Sequence, residues 1–407
     1  MPVFLEAPMF VLIFCEMFRK VLTKPQRRHL SLFLTQRAIC SAKHQTVSHL
    51  RRLFLNAPST KASCDFLKVP TSMWAALKER RKQVIKQRFT SRRGSLIIDD
   101  TLCYKCGKLI DGVYNLFCHV LGKAVLSHAV VTSVYKTPLV SIGYDFLTYV
   151  PKALTKDFKT KLDLAWELIE DAYQRGMIRR VFMDSWYCQK VLLKKIIRLN
   201  LEFFGMFKID RRKIRTTEGE MMLKEFVQKI PEEKKTTRKI KARKRTYKIK
   251  FYREIVFIKG MGKLNLVVSW KYSQKKKTYK EPRVYITNVL SLRAMDVIRT
   301  YLSRWDIEVF HKTAKQAYGF EDYQTRRAQA RDAYFELAFL SDLMLHLKQL
   351  GQLGLHRAGM TVPRTVPTEK IGSEDVVLEA LAAQRKGTLD HFIEMCGFDK
   401  RRFVHFI

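Results

Sequence analysis

The stretch S-L-I-I-D-D-T, Ser95–Thr101, decides how the rest of the sequence is read. Before it, apolar residues recur at helical spacing among basic runs such as K-P-Q-R-R-H-L and A-L-K-E-R-R-K-Q-V-I-K-Q-R. At Ser95 the period changes. A short run of branched residues is the signature of a buried strand, and this one closes on two acids. Carboxylates at the end of a buried strand are costly unless they are paired or bound to a cation. The run therefore marks the start of a sheet and a place where charge is needed.

Working outward, V-Y-N-L-F-C-H-V and A-V-L-S-H-A-V-V-T-S-V predict two further strands. An amphipathic helix from Asp157 leads through Gly176 into R-R-V-F-M-D, a second buried strand ending in an acid, Asp184. The helix K-V-L-L-K-K-I-I-R-L and the strand L-E-F-F-G-M-F-K follow. Strands first, then helices alternating with strands, predict an α/β fold with a mixed sheet and flanking helices. The sheet is expected to resume at R-V-Y-I-T-N-V, and Ser291 is placed to cap a helix from Leu292 to about Ala317. A-Y-F-E-L-A-F-L-S-D-L-M-L-H-L-K-Q-L reads as a core helix. Expected boundaries are a helical, basic domain over 1–90 that suits DNA binding and nearly as well a plain helical cap, an α/β domain over 91–350 and a helical tail over 351–407.

The 407 residues carry 77 Lys plus Arg against 38 Asp plus Glu, a formal net charge of +39. Such an excess repels itself in a compact state and calls for a polyanion; nucleic acid leads, with membrane surface or ribosome behind it. The excess is densest between Lys208 and Glu281, with 25 basic against 8 acidic residues. There K-K-T-T-R-K-I-K-A-R-K-R-T-Y-K-I-K alternates like a strand, and Trp270 and Tyr272 add aromatics, which suits a phosphate backbone and a stacked base. We read about 208–288 as a β-rich insertion. The apolar run between Glu6 and Glu16 spans nine residues, too short to cross a bilayer and wrongly flanked for a signal peptide; the expectation is a chain in the cytoplasm with no membrane span. The eight cysteines are scattered, as free thiols in a reducing compartment would be; only Cys103 and Cys106 have metal-ligand spacing, without a second pair.

One more stretch carries chemistry. In Y-L-S-R-W-D-I-E-V-F-H-K-T-A-K, Tyr301, Arg304, Glu308, Lys312 and Lys315 recur at helical steps and fall within an arc of roughly 80° at about 100° per residue. Ile298, Leu302, Trp305 and Val309 form a neighbouring apolar stripe that can face a core. Ligands collect at strand ends in open α/β sheets. Two strand-end acids and Glu308, if they converge, suit hard divalent cations, Mg²⁺ or Mn²⁺. Two such ions about 3.5–4 Å apart would activate a water or 3′-hydroxyl for phosphodiester cleavage. Arg304 can fork a phosphate, Lys312 and Lys315 can act as point charges beside it, and Tyr301 can donate or stack.

Tyr301, Arg304, Glu308 and Lys315 fulfil Y-x2-R-x3-E-x6-K, which resembles the signature of insertion-sequence transposases with an Asp-Asp-Glu triad, in the group typified by insertion sequence four. The longer run R-W-D-I-E-V-F-H-K resembles that group too, and D-D-T and M-D-S-W-Y fall where its first two acids stand. The resemblance covers about residues 95–350. It implies a ribonuclease-H-like core interrupted by a β-rich insertion, Mg²⁺-dependent cleavage at transposon ends, strand transfer into target DNA, and a homodimer acting on double-stranded DNA near the bacterial nucleoid. It implies Asp100, Asp184 and Glu308 as ligands of two Mg²⁺ or Mn²⁺ ions, and Tyr301, Arg304 and Lys315, helped by Lys312, as DNA contacts. Strand alternation turns either Asp99 or Asp100 away from the site, and parity alone does not choose; the Asp before Thr101 matches the family, which favours Asp100. After the second acid some members have R-E-A-D, whereas this chain has S-W-Y-C. Two alternatives stand beside this reading: a metal-dependent nuclease or resolvase that cuts without joining, and an inactive basic DNA-binding protein, against which the intact acids argue. His311 could touch DNA but reads at least as well as a hydrogen-bonded structural residue, Trp186 reads as packing a helix onto the sheet more than as a residue near the site, and His119 and His128 read as core.

Overall fold

A computed structural model of the chain describes residues 6–40, 45–91, 94–107, 109–118, 121–210, 212–242 and 245–353. Five helices open it: α1 (Met9–Glu16), α2 (Lys24–Ile39), α3 (Val47–Leu53), α4 (Thr60–Leu67) and α5 (Thr71–Phe89). Thr23 starts α2 with a reciprocal cap to Gln26, which satisfies two otherwise orphaned backbone donors.

The sheet begins with β1 (Ser95–Tyr104), β2 (Tyr114–Cys118), β3 (Lys123–Lys136) and β4 (Ser141–Tyr149). After α6 (Lys161–Gln174) come β5 (Arg180–Met183), α7 (Lys190–Arg198) and β6 (Glu202–Phe207). β4, β3 and β1 are antiparallel neighbours, whereas β1, β5 and β6 run parallel. This mixed order is compatible with the ribonuclease-H-like fold of Asp-Asp-Glu nucleases. β4, S-I-G-Y-D-F-L-T-Y, was not anticipated from sequence. Its Gly143 lies so close to α-helical rings that an added Cβ would meet Phe310 at 2.5 Å and Phe339 at 2.9 Å.

The basic segment forms β7 (Lys213–Thr216), β8 (Gly219–Met222), α8 (Leu223–Lys229), β9 (Thr236–Ala242), β10 (Arg245–Ile258), β11 (Gly262–Ser273) and β12 (Thr278–Tyr279). It is β-rich, as its alternation predicts, and it extends the same sheet. β13 (Arg283–Thr287), the expected resumption, is the join: it pairs β6 on one side and β11 on the other.

The predicted single helix after β13 is two helices. α9 (Ala294–Tyr301) and α10 (Trp305–Gln316) are separated by a 3₁₀ turn, Leu302–Arg304. α9 starts two residues later than expected, and its N-cap, Arg293, makes no side-chain cap. The tighter 3₁₀ turn, about three residues per turn, shifts the phase between the two helices. As a result Leu302 is 59% and Trp305 55% exposed, contrary to the expected apolar stripe; Ile307, Phe310 and Ala314 are the buried face of α10 instead. α11 (Ala328–Gln349) is buried along almost its whole length, as predicted from its composition. It packs against β4 and against α2 and α5 of the opening helices. Arg81 of α5 donates twice to Glu336 of α11, at 2.6 and 3.0 Å. The tail expected over 351–407 lies outside the described residues beyond Leu353, and His119 lies outside them too.

Candidate active site

The parallel register of β1 and β5 builds the site. Ser95 pairs Arg180, and the pairing advances to Ile98 opposite Met183. The next residues along the two strands are Asp99 and Asp184. Side chains alternate between faces along a strand, and paired residues share a face, so the register sets Asp99, not Asp100, on the face of Asp184. β1 itself does not stop at the acids, as its sequence suggested, but runs on to Tyr104 against β3. What ends there is the parallel partner.

Asp184 is held by its own turn. One carboxylate oxygen accepts from the backbone N–H of Trp186 at 2.9 Å and of Tyr187 at 3.1 Å. The turn is pressed onto β6, where an added Cβ on Gly205 would meet Cys188 Sγ at 2.0 Å. Only glycine leaves room for that approach.

Asp99 accepts from Arg304 Nη1 at 3.0 Å, and Arg304 Nη2 donates to Glu308 one helical turn on. One guanidinium thus bridges an acid of the sheet and an acid of α10. Burial and the neighbouring Asp184 charge push the Asp99 carboxyl up to about 7, against the opposing pull of Arg304. Thr132 Oγ1 donates to the Asp99 carbonyl at 3.3 Å and lies 2.6 Å from His311 Nε2. Burial, with Lys315 and Arg304 nearby, holds His311 down to about 3. It stays neutral as a bracket between β3 and α10, the structural role weighed from sequence.

Asp100 points to the other side. Its oxygens accept from Lys161 Nζ at 2.6 Å and from Tyr187 Oη at 3.0 Å. Lys161, at the start of α6, also lies 5.6 Å from the Trp186 ring and 5.8 Å from that of Tyr149. Trp186 is 38% exposed and meets Tyr187 edge-on, so it does not pack a helix onto the sheet as expected. No local sequence signal marks Lys161 or Tyr187 as partners of Asp100.

The remaining strip residues separate. Tyr301 is buried, its ring edge-on to Tyr285 at 5.2 Å, and its hydroxyl has no hydrogen-bond partner among the described residues. Lys315 donates to the Leu102 carbonyl at 2.6 Å and pairs with Glu321 at 3.1 Å. Lys312 is exposed. The 3₁₀ turn and the burial of α10 thus divide what a continuous helix would have aligned. His128 is core, as expected: Nδ1 is 2.7 Å from Tyr323 Oη and Nε2 is 2.9 Å from the Asp111 carbonyl. Cys103 is buried and Cys106 exposed.

Among the described residues no three His, Cys, Asp or Glu side chains are gathered to hold a metal ion. The sequence led us to expect three converging carboxylates; Arg304 stands between two of them. The donor chemistry still fits a hard divalent cation, because Asp99, Asp184 and Glu308 offer only carboxylate oxygens.

Acids on adjacent parallel strands, with a third on a following helix, define a class: the nucleases of the Asp-Asp-Glu type. The family model of the DDE superfamily endonucleases matches residues 17–218. A second model, described as "Archaeal putative transposase ISC1217", matches residues 148–356, more than half of the chain. The chain belongs to this transposase family. No curated protein matches the sequence. The family makes DNA the substrate, and nucleases of the superfamily generally use divalent metal ions. Among the described residues no helix is long and apolar enough to cross a membrane.

Proposed function

We propose that this chain is a DNA transposase that cleaves at transposon ends and joins them to target DNA, with Asp99, Asp184 and Glu308 as the carboxylates that hold Mg²⁺ or Mn²⁺. The observation that carries the reading is the β1–β5 register together with the Arg304 bridge from Asp99 to Glu308. Asp99 replaces Asp100 as first ligand, since Asp100 is engaged by Lys161 and Tyr187 on the opposite face. Divalent ions held by these three would neutralise charge and lower the pKa of a bound water.

The chain's own residues do the rest. The Asp184 turn and the Thr132–His311 bracket fix where the carboxylates stand. Arg304 neutralises two of them in the cation-free protein, and a guanidinium displaced from one becomes available to a backbone phosphate. Exposed Lys312 adds charge on the same helix. Tyr301 and Lys315 complete the insertion-sequence-four-like spacing, but their burial and pairing favour structural roles for both. A homodimer on double-stranded DNA, a DNA-binding role for residues 1–90 and action at the nucleoid belong to the same proposal.

The second reading is a nuclease that cuts without joining, favoured by the endonuclease model over residues 17–218. Incubation with Mg²⁺ and a DNA fragment carrying the element's inverted repeats separates the two. Joined product is the expected result. Cleavage without joining supports the nuclease, and binding without either reaction ends both.

A further inference from the structure

A cleft of about 620 Å³ lies where the start of α7, the residues Asp210, Arg212 and Lys213, and the β10–β11 hairpin meet. Lys190, Arg212, Lys213 and Lys259 line it, with Asp210 its one carboxylate. Asp210 is only 3.5 Å from Arg212, so its charge is already shared. Among the described residues Lys190, Lys194 and Lys259 form no ion pair, and Lys213 reaches Glu220 only at 3.8 Å.

The cations are built in, not scattered. The hairpin turn passes under α7 so closely that a Cβ on Gly260 would meet Lys194 Cε at 2.7 Å and Lys190 Cε at 3.3 Å. Gly260 also has φ +81°, where side chains are disfavoured. Arg212 is laid 3.8 Å over the Phe207 ring, which fixes its planar fork. The first turn of α7 opens here with no side-chain cap. Like charges gathered at this density destabilise the empty protein and are offset by a polyanion.

The cleft is also close to the site. The Cys188 N–H, in the turn that follows Asp184, donates to the Asp184 carbonyl at 3.2 Å, and the next residue, Gln189, lines the cleft. We infer that this cleft grips consecutive phosphates of the DNA strand whose neighbouring segment lies at Asp99 and Asp184. The inference deepens the transposase reading and rests on it. Sequence placed phosphate contacts broadly over 208–281; the cleft joins that segment to Lys190 of α7, outside it.

The test measures duplex-DNA affinity of the full chain against salt concentration. The double variant Lys190→Gln/Lys259→Gln should flatten the log–log slope by about two phosphates' worth, roughly 1.8. Without DNA, at low ionic strength, the double variant should melt at a higher temperature than wild type, which shows that it folds and that the repulsion was real. A folded double variant with an unchanged slope overturns the inference while the transposase reading survives. Failure of the wild-type chain to bind DNA removes both. Inorganic phosphate is the last arm: if it raises the melting temperature of wild type and not of the variant, while their DNA slopes coincide, the cleft takes free anions and the inference falls.

Discussion

At the scale of single residues, the adjacent acids of β1 are separated by one step of the strand, and that step puts them in different chemistry. Asp99→Asn should abolish Mg²⁺-dependent cleavage with DNA binding kept. Asp100→Asn should reduce cleavage only partly, by way of the Lys161 and Tyr187 contacts. Equal loss in both variants would return the choice to open ground. Arg304 makes a sharper case, because it competes for the carboxylates that a cation needs. Arg304→Ala should tighten Mn²⁺ binding in the absence of DNA, on the order of tenfold, seen by calorimetry. The same variant should weaken DNA binding and reduce the salt slope by about one phosphate. Weaker Mn²⁺ binding would mean that Arg304 positions the acids instead of occupying their place.

At the scale of elements, two devices tie together segments that are far apart in sequence. The first is the Arg81–Glu336 pair between α5 and α11, with both side chains buried. Removing one partner of such a pair leaves an uncompensated charge, so Arg81→Met should cost about 3–5 kcal/mol in urea unfolding. Arg81→Met with Glu336→Leu should recover most of that loss, since no charge is then stranded. The second device is a pair of neutral histidines. Burial lowers His128 to about 4 and His311 to about 3, against about 6.5 for an unfolded histidine. As pH falls the unfolded chain takes the protons first, so stability is full above pH 6.5 and declines towards pH 4. Each histidine should contribute about 1.4 kcal/mol per pH unit inside that window. Unfolding curves at pH 7 and pH 5 should show a smaller difference in His128→Asn than in wild type; an equal difference would remove His128 from the account.

At the scale of the molecule, charge and topology meet. A chain with formal net charge +39 repels itself, and the uncompensated cleft beside α7 concentrates part of that repulsion. Raising ionic strength without DNA should therefore raise the melting temperature by a few degrees, about what screening across a Debye length of about 10 Å would give. A melting temperature that falls with salt would show that ion pairs outweigh repulsion. The β10–β11 arm is also continuous with the strands that carry the acids through β13, so DNA on the basic strands, as proposed, would be held in register with those acids. A separate, tethered insertion would not give that coupling.

Much of this was determined by the sequence alone. The period change at Ser95, the buried run before Asp184 and the alternation of the basic segment are local patterns, and each became the strand or strands it predicted. Three matters were decided only by the tertiary structure. Parity could not say which of Asp99 and Asp100 shares a face with Asp184, because that lies in the register with β5, a strand some 80 residues away. A continuous helix was the natural reading of residues 292–317; the 3₁₀ turn that splits it exposes Leu302 and Trp305 and buries Tyr301, a phase set by packing on β1, β3 and α11. Lys161, Tyr187 and the lysines of α7 were unremarkable as sequence, since their meaning comes from neighbours that only folding supplies. Local periodicity fixes which face a residue can take, and long-range register fixes what that face meets.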